Sequence, residues 1–140
     1  MENHLLPLFI VDDSESDLAI AREALRASNL LTLIGVARSG DEALAYLRGG
    51  GKSSPLLILL DINMPKRSGF EVLEEIKGDP ALKHVPVVMF TTSWRDEDVT
   101  RAYAAGACSF ITKPADFLGL ERMFANFETY WGEVSRFPRQ

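Results

Sequence analysis

The segment Leu56-Leu57-Ile58-Leu59-Leu60-Asp61-Ile62-Asn63-Met64-Pro65 sets the architecture of the whole chain. Its five consecutive aliphatic residues are too few to span a membrane and too apolar for a strand with one face in water. They predict a central strand that is buried on both faces, as in a parallel sheet. Asp61 ends this run, and Pro65 then favours a turn. The pattern therefore places Asp61 at the carboxyl end of a strand, where open α/β sheets bind their ligands.

Short apolar runs alternate with helical patterns along the rest of the chain. Strands are predicted at residues 8–11, 31–37, 56–60, 87–91 and 109–111. Helices are predicted from Ser14 to about Ser28, from Ser39 to the glycines at 49–51, from Ser68 to Asp79-Pro80, from Asp96 to Ala105 and from about Asp116 to Trp131. We expect the glycines at 49–51 to end the second helix in a left-handed turn. Strict alternation requires crossover connections, and hence a parallel sheet with helices on both faces.

Length and composition limit the classes of protein to consider. With 140 residues, 46% hydrophobic and 25% charged, the sequence predicts one globular domain over residues 1–140, with a core at about 7–132 and a tail at 133–140. A net charge of −5 without a basic stripe argues against nucleic acid as a partner. The single cysteine, Cys108, excludes an internal disulfide, and no stretch has the ~20 apolar residues of a membrane span. A cytoplasmic protein without a membrane segment is therefore expected.

Polar side chains lie at the ends of four predicted strands. These are Asp12 and Asp13 after the first strand, Asp61 after the third, Thr91 at the end of the fourth and Lys113 after the fifth. Because the carboxyl ends of parallel strands meet at one edge, these groups are expected to converge. Crowded carboxylates repel one another, and a hard divalent cation with few protein ligands, Mg²⁺, relieves that repulsion. With a hydroxyl and an ammonium group alongside, the set predicts transfer of a phosphoryl group onto a carboxylate.

Each of these residues also has a purely structural interpretation. Asp12 and Asp13 are placed where they could simply cap the first helix. Thr91 is a common β-forming residue, and a lysine before proline is usually exposed to solvent. An isolated aspartate before a loop is often only a turn former. The functional interpretation depends on all these residues occurring together.

The order of these motifs resembles that of receiver domains of two-component response regulators, over essentially the whole chain. The matching segments are Asp12-Asp13, Leu60 to Pro65 with Gly69 after it, Thr91-Thr92, and Phe110-Ile111-Thr112-Lys113-Pro114. The stretch from Leu59 through Trp131 is also similar to the single-domain regulators of bacterial phytochrome kinases. The resemblance implies a flavodoxin-like fold of five βα units with strand order 2-1-3-4-5.

The resemblance also implies a metal-assisted phosphoacceptor site. Asp61 would accept a phosphoryl group from the phosphohistidine of a sensor histidine kinase. Mg²⁺ would be bound by the side chains of Asp13 and Asp61 and by the backbone carbonyl of Asn63. Asp12 would act mostly through a metal-bound water.

Three further residues have implied roles in the phosphorylated state. Lys113 would pair with Asp61 and then with the phosphoryl oxygens, and Thr91 would hydrogen-bond the phosphoryl group. Phe110 and Thr91 would form a switch that reshapes the face made by the fourth helix, fifth strand and fifth helix. The Lys113–Pro114 bond is often cis in the family, and the sequence leaves its state open here.

The implied function is that of a stand-alone response regulator, not an enzyme beyond Mg²⁺-assisted self-phosphorylation and self-dephosphorylation. No DNA-binding output domain is expected after the final helix, so output would pass to a downstream protein or a phosphotransfer protein. One alternative is a degenerate receiver that acts only as an interaction module. Another is an aspartate-nucleophile phosphatase of the haloacid dehalogenase type, which needs a second aspartate where this chain has Asn63. Nucleotide-binding glycine loops are missing from the sequence.

The final helix has more large apolar side chains than one helix face can bury against a sheet. They are Phe117, Leu118, Leu120, Met123, Phe124, Phe127, Tyr130 and Trp131. The surplus predicts a homodimer formed through this end of the domain. The alternative is that Tyr130 and Trp131 fold back onto the domain itself.

Overall fold

A computed structural model of the protein describes residues 5–49 and 55–136. The strands are β1 (Leu6–Val11), β2 (Leu31–Ala37), β3 (Leu57–Leu60), β4 (Val87–Thr91) and β5 (Ser109–Thr112). The helices are α1 (Glu15–Leu25), α2 (Gly40–Arg48), α3 (Gly69–Gly78), α4 (Asp96–Ala104) and α5 (Phe117–Thr129). A π-helical turn, Tyr130–Val134, continues α5.

The strands form one parallel sheet in the order β2-β1-β3-β4-β5, which confirms the predicted topology. The pairing of β1 with β2 shifts by one residue between Leu8 and Phe9, so that Phe9 lies opposite Gly35. A Cβ at Gly35 would lie 3.1 Å from the ring of Tyr46, and this ring stacks on Phe9 with centroids 4.5 Å apart. Glycine at this position therefore makes room for an aromatic contact between α2 and the sheet.

The core consists of two layers, one on each face of the sheet. Along β3, Ile58 and Leu60 pack in the layer that includes α2, α3 and α4. Leu57 and Leu59 pack in the opposite layer, with α1 and α5. All four residues are at most 3% exposed, so the predicted burial of this strand on both faces is confirmed. Such a strand can present a polar group only at its end, which is where Asp61 lies.

The ends of several elements differ from the prediction. Gly49 caps α2 with φ −70° and ψ −8°, a right-handed conformation, so the left-handed turn predicted there is wrong at this residue. The rest of that predicted turn, Gly50 and Gly51, lies outside the described residues, as do the last four residues of the predicted tail. Gly106 has φ 107° and follows the end of α4. Across the two described ranges, every helix is too short or too polar to cross a bilayer.

Candidate functional site

Backbone hydrogen bonds extend the sheet ladder just past the strands and fix the site residues at one edge. Asp12 N–H donates to the Ala37 carbonyl at 2.9 Å, and Asp61 N–H donates to the Val11 carbonyl at 3.0 Å. Lys113 N–H donates to the Thr91 carbonyl at 2.7 Å. Because these residues remain paired with neighbouring strands, their side chains converge at the carboxyl edge, as the sequence predicted.

Three carboxylates form the centre of the site. Oxygen atoms of Asp12, Asp13 and Asp61 lie within 4.8 Å of one another. Asp12 and Asp61 are 2% and 7% exposed, whereas Asp13 is open to solvent. An all-oxygen set with one face in water fits a hard divalent cation that keeps some of its waters. Asn63 is exposed, two residues after Asp61, and its role as a carbonyl ligand stays a prediction.

Lys113 lies among carboxylates, but Asp61 is not its nearest partner. Its Nζ donates to Asp12 Oδ2 at 2.6 Å and to Asp17 Oδ2 at 2.7 Å, while Asp61 Oδ2 is 3.5 Å away. Burial lowers the pKa of Lys113, but the hydrogen bonds to Asp12 and Asp17 outweigh it, so the pKa lies above its ordinary value of 10.5. The lysine is therefore a fixed positive charge at neutral pH. The bond to Pro114 is trans.

The protein environment disfavours the charged form of Asp61. Burial is the main cause and raises the pKa of Asp61 above 3.8; the charge of Lys113 opposes this, and Asp12 adds to it. The Ile62 N–H donates to Asp61 Oδ1 at 2.8 Å and fixes the side chain. A buried, poorly solvated carboxylate beside an ammonium group is a suitable oxygen nucleophile for an electrophilic phosphorus.

Helix starts frame the site on two sides. Ser14 caps α1 by accepting from the Asp17 N–H, and Asp12 Oδ1 accepts from the Ser14 N–H at 2.9 Å. Asp12 thus helps to shape the start of α1 as well as binding Lys113, so its structural interpretation applies, and its role at a metal stays a prediction. On the other side, a Cβ at Gly69 would lie 2.0 Å from the Asp61 carbonyl oxygen. Only glycine allows α3 to begin this close to the strand end.

The two predicted switch residues, Thr91 and Phe110, differ in their contacts. Thr91 is fully buried, and its Oγ1 accepts from the Ser93 N–H at 3.4 Å. Ser93 in turn donates to Asp98 Oδ2 at 2.6 Å, and its carbonyl accepts from the Thr112 hydroxyl at 2.9 Å. The loop after β4 is therefore bonded to both α4 and β5. Phe110 is partly buried against the core layer that contains α4, and its switching role stays a prediction.

Sequence reasoning missed Asp17 as a member of the site. Asp17 lies in the first turn of α1, where its negative charge interacts favourably with the helix dipole. The Lys113–Asp17 contact joins residues 96 positions apart, so no local pattern reveals it. The available signal was its place in the helix that follows Asp12, because the first turn of that helix begins at the same sheet edge.

Comparison with known proteins gives consistent matches over almost the whole chain. The response regulator receiver domain family matches residues 8–125. The response regulator Rcp1 of Synechocystis sp. is 36% identical over 135 residues, which cover 94% of this chain and 92% of Rcp1.

Two solved structures share the fold closely. The phosphorylated cyanobacterial phytochrome response regulator RcpA matches with a TM-score of 0.87 and 38% identity, covering 96% of this chain and 99% of RcpA. The Mn²⁺-bound form of Rcp1 matches with a TM-score of 0.83 and 37% identity, covering 96% of this chain and 99% of that one.

Proposed function

Since the chain belongs to the response regulator receiver family, we propose that Asp61 is its phosphoacceptor, taking a phosphoryl group from a sensor histidine kinase. The observation that carries this assignment is the convergence of Asp12, Asp13 and Asp61 with the ammonium group of Lys113. Asp61 combines burial with a raised pKa. Phosphorylation of the related RcpA supports the same chemistry in this chain.

Mg²⁺ is the cation proposed for the carboxylate cluster. Asp12, Asp13 and Asp61 would hold it, with the backbone carbonyl of Asn63 as a further ligand. The related Rcp1 has been solved with Mn²⁺, which shares the preference of Mg²⁺ for oxygen ligands. When bound, the cation neutralises negative charge on the carboxylates and on the incoming phosphoryl oxygens.

The residues of the chain provide the remaining chemistry. A carboxylate oxygen of Asp61 attacks the phosphorus, the bond from phosphorus to the donor histidine breaks, and an acyl phosphate forms. Lys113 donates to a phosphoryl oxygen, and the Thr91 hydroxyl donates to another. The Ile62 N–H keeps the aspartyl side chain oriented throughout. The protein is thus a phosphoacceptor, and Asp61 would also take a phosphoryl group directly from small phosphodonors.

The signal would leave the site through the loop after β4. Phosphorylation adds roughly −1.5 to −2 charges and three acceptor oxygens, which attract Thr91 and Lys113. Any movement of Thr91 is transmitted through Ser93 to Asp98 on α4 and Thr112 on β5. Phe110 would then change its rotamer in the adjoining core, and the α4–β5–α5 face would take its second shape.

The partners follow from the relatives and from this face. A phytochrome-type kinase in the cytoplasm is the proposed donor, and a downstream protein or a phosphotransfer protein is the proposed target.

On and after α5, Phe117, Leu118 and Tyr130 are 41%, 53% and 50% exposed, which supports a homodimer through this surface. Trp131 instead packs against the core, so the fold-back alternative applies to Trp131 but not to the half-exposed Tyr130. A strictly monomeric species in sedimentation, with and without phosphorylation, would exclude the dimer.

Incubation with Mg²⁺ and acetyl phosphate tests the phosphoacceptor assignment. Intact mass should increase by one phosphoryl group in the wild type and in Asp41→Asn, a control at an exposed carboxylate. Asp61→Asn should show no increase. A wild type that gains no phosphate would favour the interaction-module alternative, and a gain that survives Asp61→Asn would show that another residue is the acceptor.

Transfer from a phosphorylated phytochrome-type kinase, compared with an unrelated kinase, tests the proposed donor.

A further inference from the structure

The ammonium group of Lys113 is shared among three carboxylates in an unequal way. Asp12 and Asp17 accept from Nζ at 2.6 and 2.7 Å, while the phosphoacceptor oxygen is 3.5 Å away. An ammonium group has three N–H donors, and two of them are engaged by these shorter bonds. The lysine that must serve the phosphoryl group is therefore held nearer to two other residues than to Asp61.

Asp12 and Asp17 differ in what it costs them to release this lysine. The Asp12 side chain is 3% exposed, so loss of its cation would leave a buried and uncompensated charge. The Asp17 side chain is 37% exposed and can be hydrated when the ammonium moves away. Asp17 also lies outside the carboxylate cluster that fits the metal. Of the two close bonds, the one to Asp17 is the one that can be exchanged.

We propose that Asp17 is a positioning residue that keeps the ammonium group of Lys113 closer to itself than to Asp61 until phosphorylation, and so sets how readily the phosphorylated state forms. The inference rests on the proposed function of Asp61. A phosphoryl group adds charge beside Nζ and outcompetes a half-hydrated carboxylate for it. Lys113 then exchanges the oxygen of Asp17 for a phosphoryl oxygen and keeps its bond to Asp12.

The exchange predicts the direction in which Asp17 variants differ from the wild type. The bond to Asp17 stabilises only the unphosphorylated state, so its removal shifts the equilibrium toward the phosphorylated state. Asp17→Asn keeps the shape of the side chain and removes its charge. Because the pair is partly exposed, we expect the variant to bind a phosphoryl mimic roughly two- to fivefold more tightly than the wild type. Tighter binding is a gain that general structural damage would not produce.

The probe is beryllium fluoride, a stable phosphoryl mimic, titrated at fixed Mg²⁺ concentration. The amide signal of Ile62 reports binding by NMR, since this N–H donates to Asp61. A second measurement, made without Mg²⁺ or beryllium, follows the side-chain ¹⁵N signal of Lys113, which should shift in Asp17→Asn as the ammonium group loses a partner. Glu15→Gln is the matched control, because it removes the same charge from the same helical turn, where Glu15 pairs with Arg38.

The outcomes separate this inference from the proposed function. Tighter binding by Asp17→Asn than by Glu15→Gln, together with a shifted Lys113 signal, supports the positioning role. Equal or weaker binding by Asp17→Asn, while the wild type binds normally, overturns the inference and leaves Asp61 as the phosphoacceptor. A wild type that binds no beryllium fluoride at Asp61 overturns the proposed function, and the inference with it.

Discussion

Replacement of Lys113 by methionine tests how strongly the lysine stabilises the carboxylates around it. The substitution keeps the length of the side chain and removes the charge. It leaves Asp12 and Asp61, which are 2% and 7% exposed, beside Asp17 without their shared cation. In the wild-type chain this cation offsets part of the desolvation and mutual repulsion of those groups. We therefore expect the variant to fold with a clearly reduced free energy of unfolding when no divalent metal is present.

Protonation of Asp61 reduces the size of the loss. Breaking a buried ion pair typically costs about 3–5 kcal/mol. Asp61 can instead take up a proton, and from its ordinary pKa of 3.8 this costs about 4 kcal/mol at pH 7, at 1.36 kcal/mol per pH unit. Because burial already raises the pKa of Asp61, the true cost lies somewhat lower. The expected loss at pH 7 is therefore about 3–4 kcal/mol.

The same protonation gives the loss a pH dependence. Without Lys113, the pKa of Asp61 in the folded protein rises further above its value in the unfolded chain. The folded state then binds more protons than the unfolded state, so stability falls as the pH rises through the window between the two pKa values. At pH 5 a proton on Asp61 costs at most about 1.6 kcal/mol, so the variant should lose less stability at pH 5 than at pH 7. The pKa of Lys113 itself is raised above 10.5, so the lysine stays charged at both pH values in the wild type.

Urea unfolding in a chelating buffer at pH 7 and pH 5 measures both losses. Lys83→Met is the control, since it removes an exposed lysine away from the site and should change stability by less than about 0.5 kcal/mol. Addition of Mg²⁺ should recover stability in Lys113→Met, because a second cation can occupy the same carboxylates. A loss below about 1 kcal/mol at pH 7, or an equal loss at both pH values, would contradict this account of the site.

Three further substitutions test the local structure around the site by denaturant unfolding. Gly69→Ala should cost at least about 3 kcal/mol, because its Cβ would lie 2.0 Å from the Asp61 carbonyl oxygen; a loss under about 1 kcal/mol would mean that α3 shifts freely. Ser68→Ala should cost about 1 kcal/mol, since it removes one half of the capping box with Glu71, and an unchanged midpoint would show that the cap is dispensable. Lys66→Gly should gain about 0.5–1 kcal/mol, because Lys66 has φ 69°, and a loss of stability would show that its side chain has a role of its own.

The architecture was predictable because strong local patterns coincide with the global fold. The apolar run at 56–60 required burial on both faces, and Leu57 to Leu60 are indeed buried on both. Ser14, Ser39 and Ser68 each cap the helix that the sequence placed after them. Residues at the carboxyl ends of parallel strands lie at one edge of the sheet, so the convergence of the carboxylates and the lysine followed from topology alone.

Details that depend on side-chain conformation or on backbone relaxation were not predictable. Gly49 could adopt a left-handed turn, yet its N–H bonds back to the Tyr46 carbonyl in a right-handed one. Sequence also gave no reason for Lys113 to prefer Asp12 and Asp17 over Asp61, because that choice depends on which oxygens its ammonium group reaches. The π-helical turn Tyr130–Val134, which contains the core-packed Trp131, was likewise not predicted from the sequence.

Identification of the phosphorylated residue shows directly whether Asp61 is the phosphoacceptor. The wild-type chain is incubated with Mg²⁺ and acetyl phosphate, reduced with borohydride, which converts an aspartyl phosphate to homoserine, and mapped by peptide mass spectrometry. We expect homoserine at position 61, with Asp12, Asp13 and Asp17 unmodified. Homoserine at any of those three residues, with Asp61 intact, would contradict this assignment.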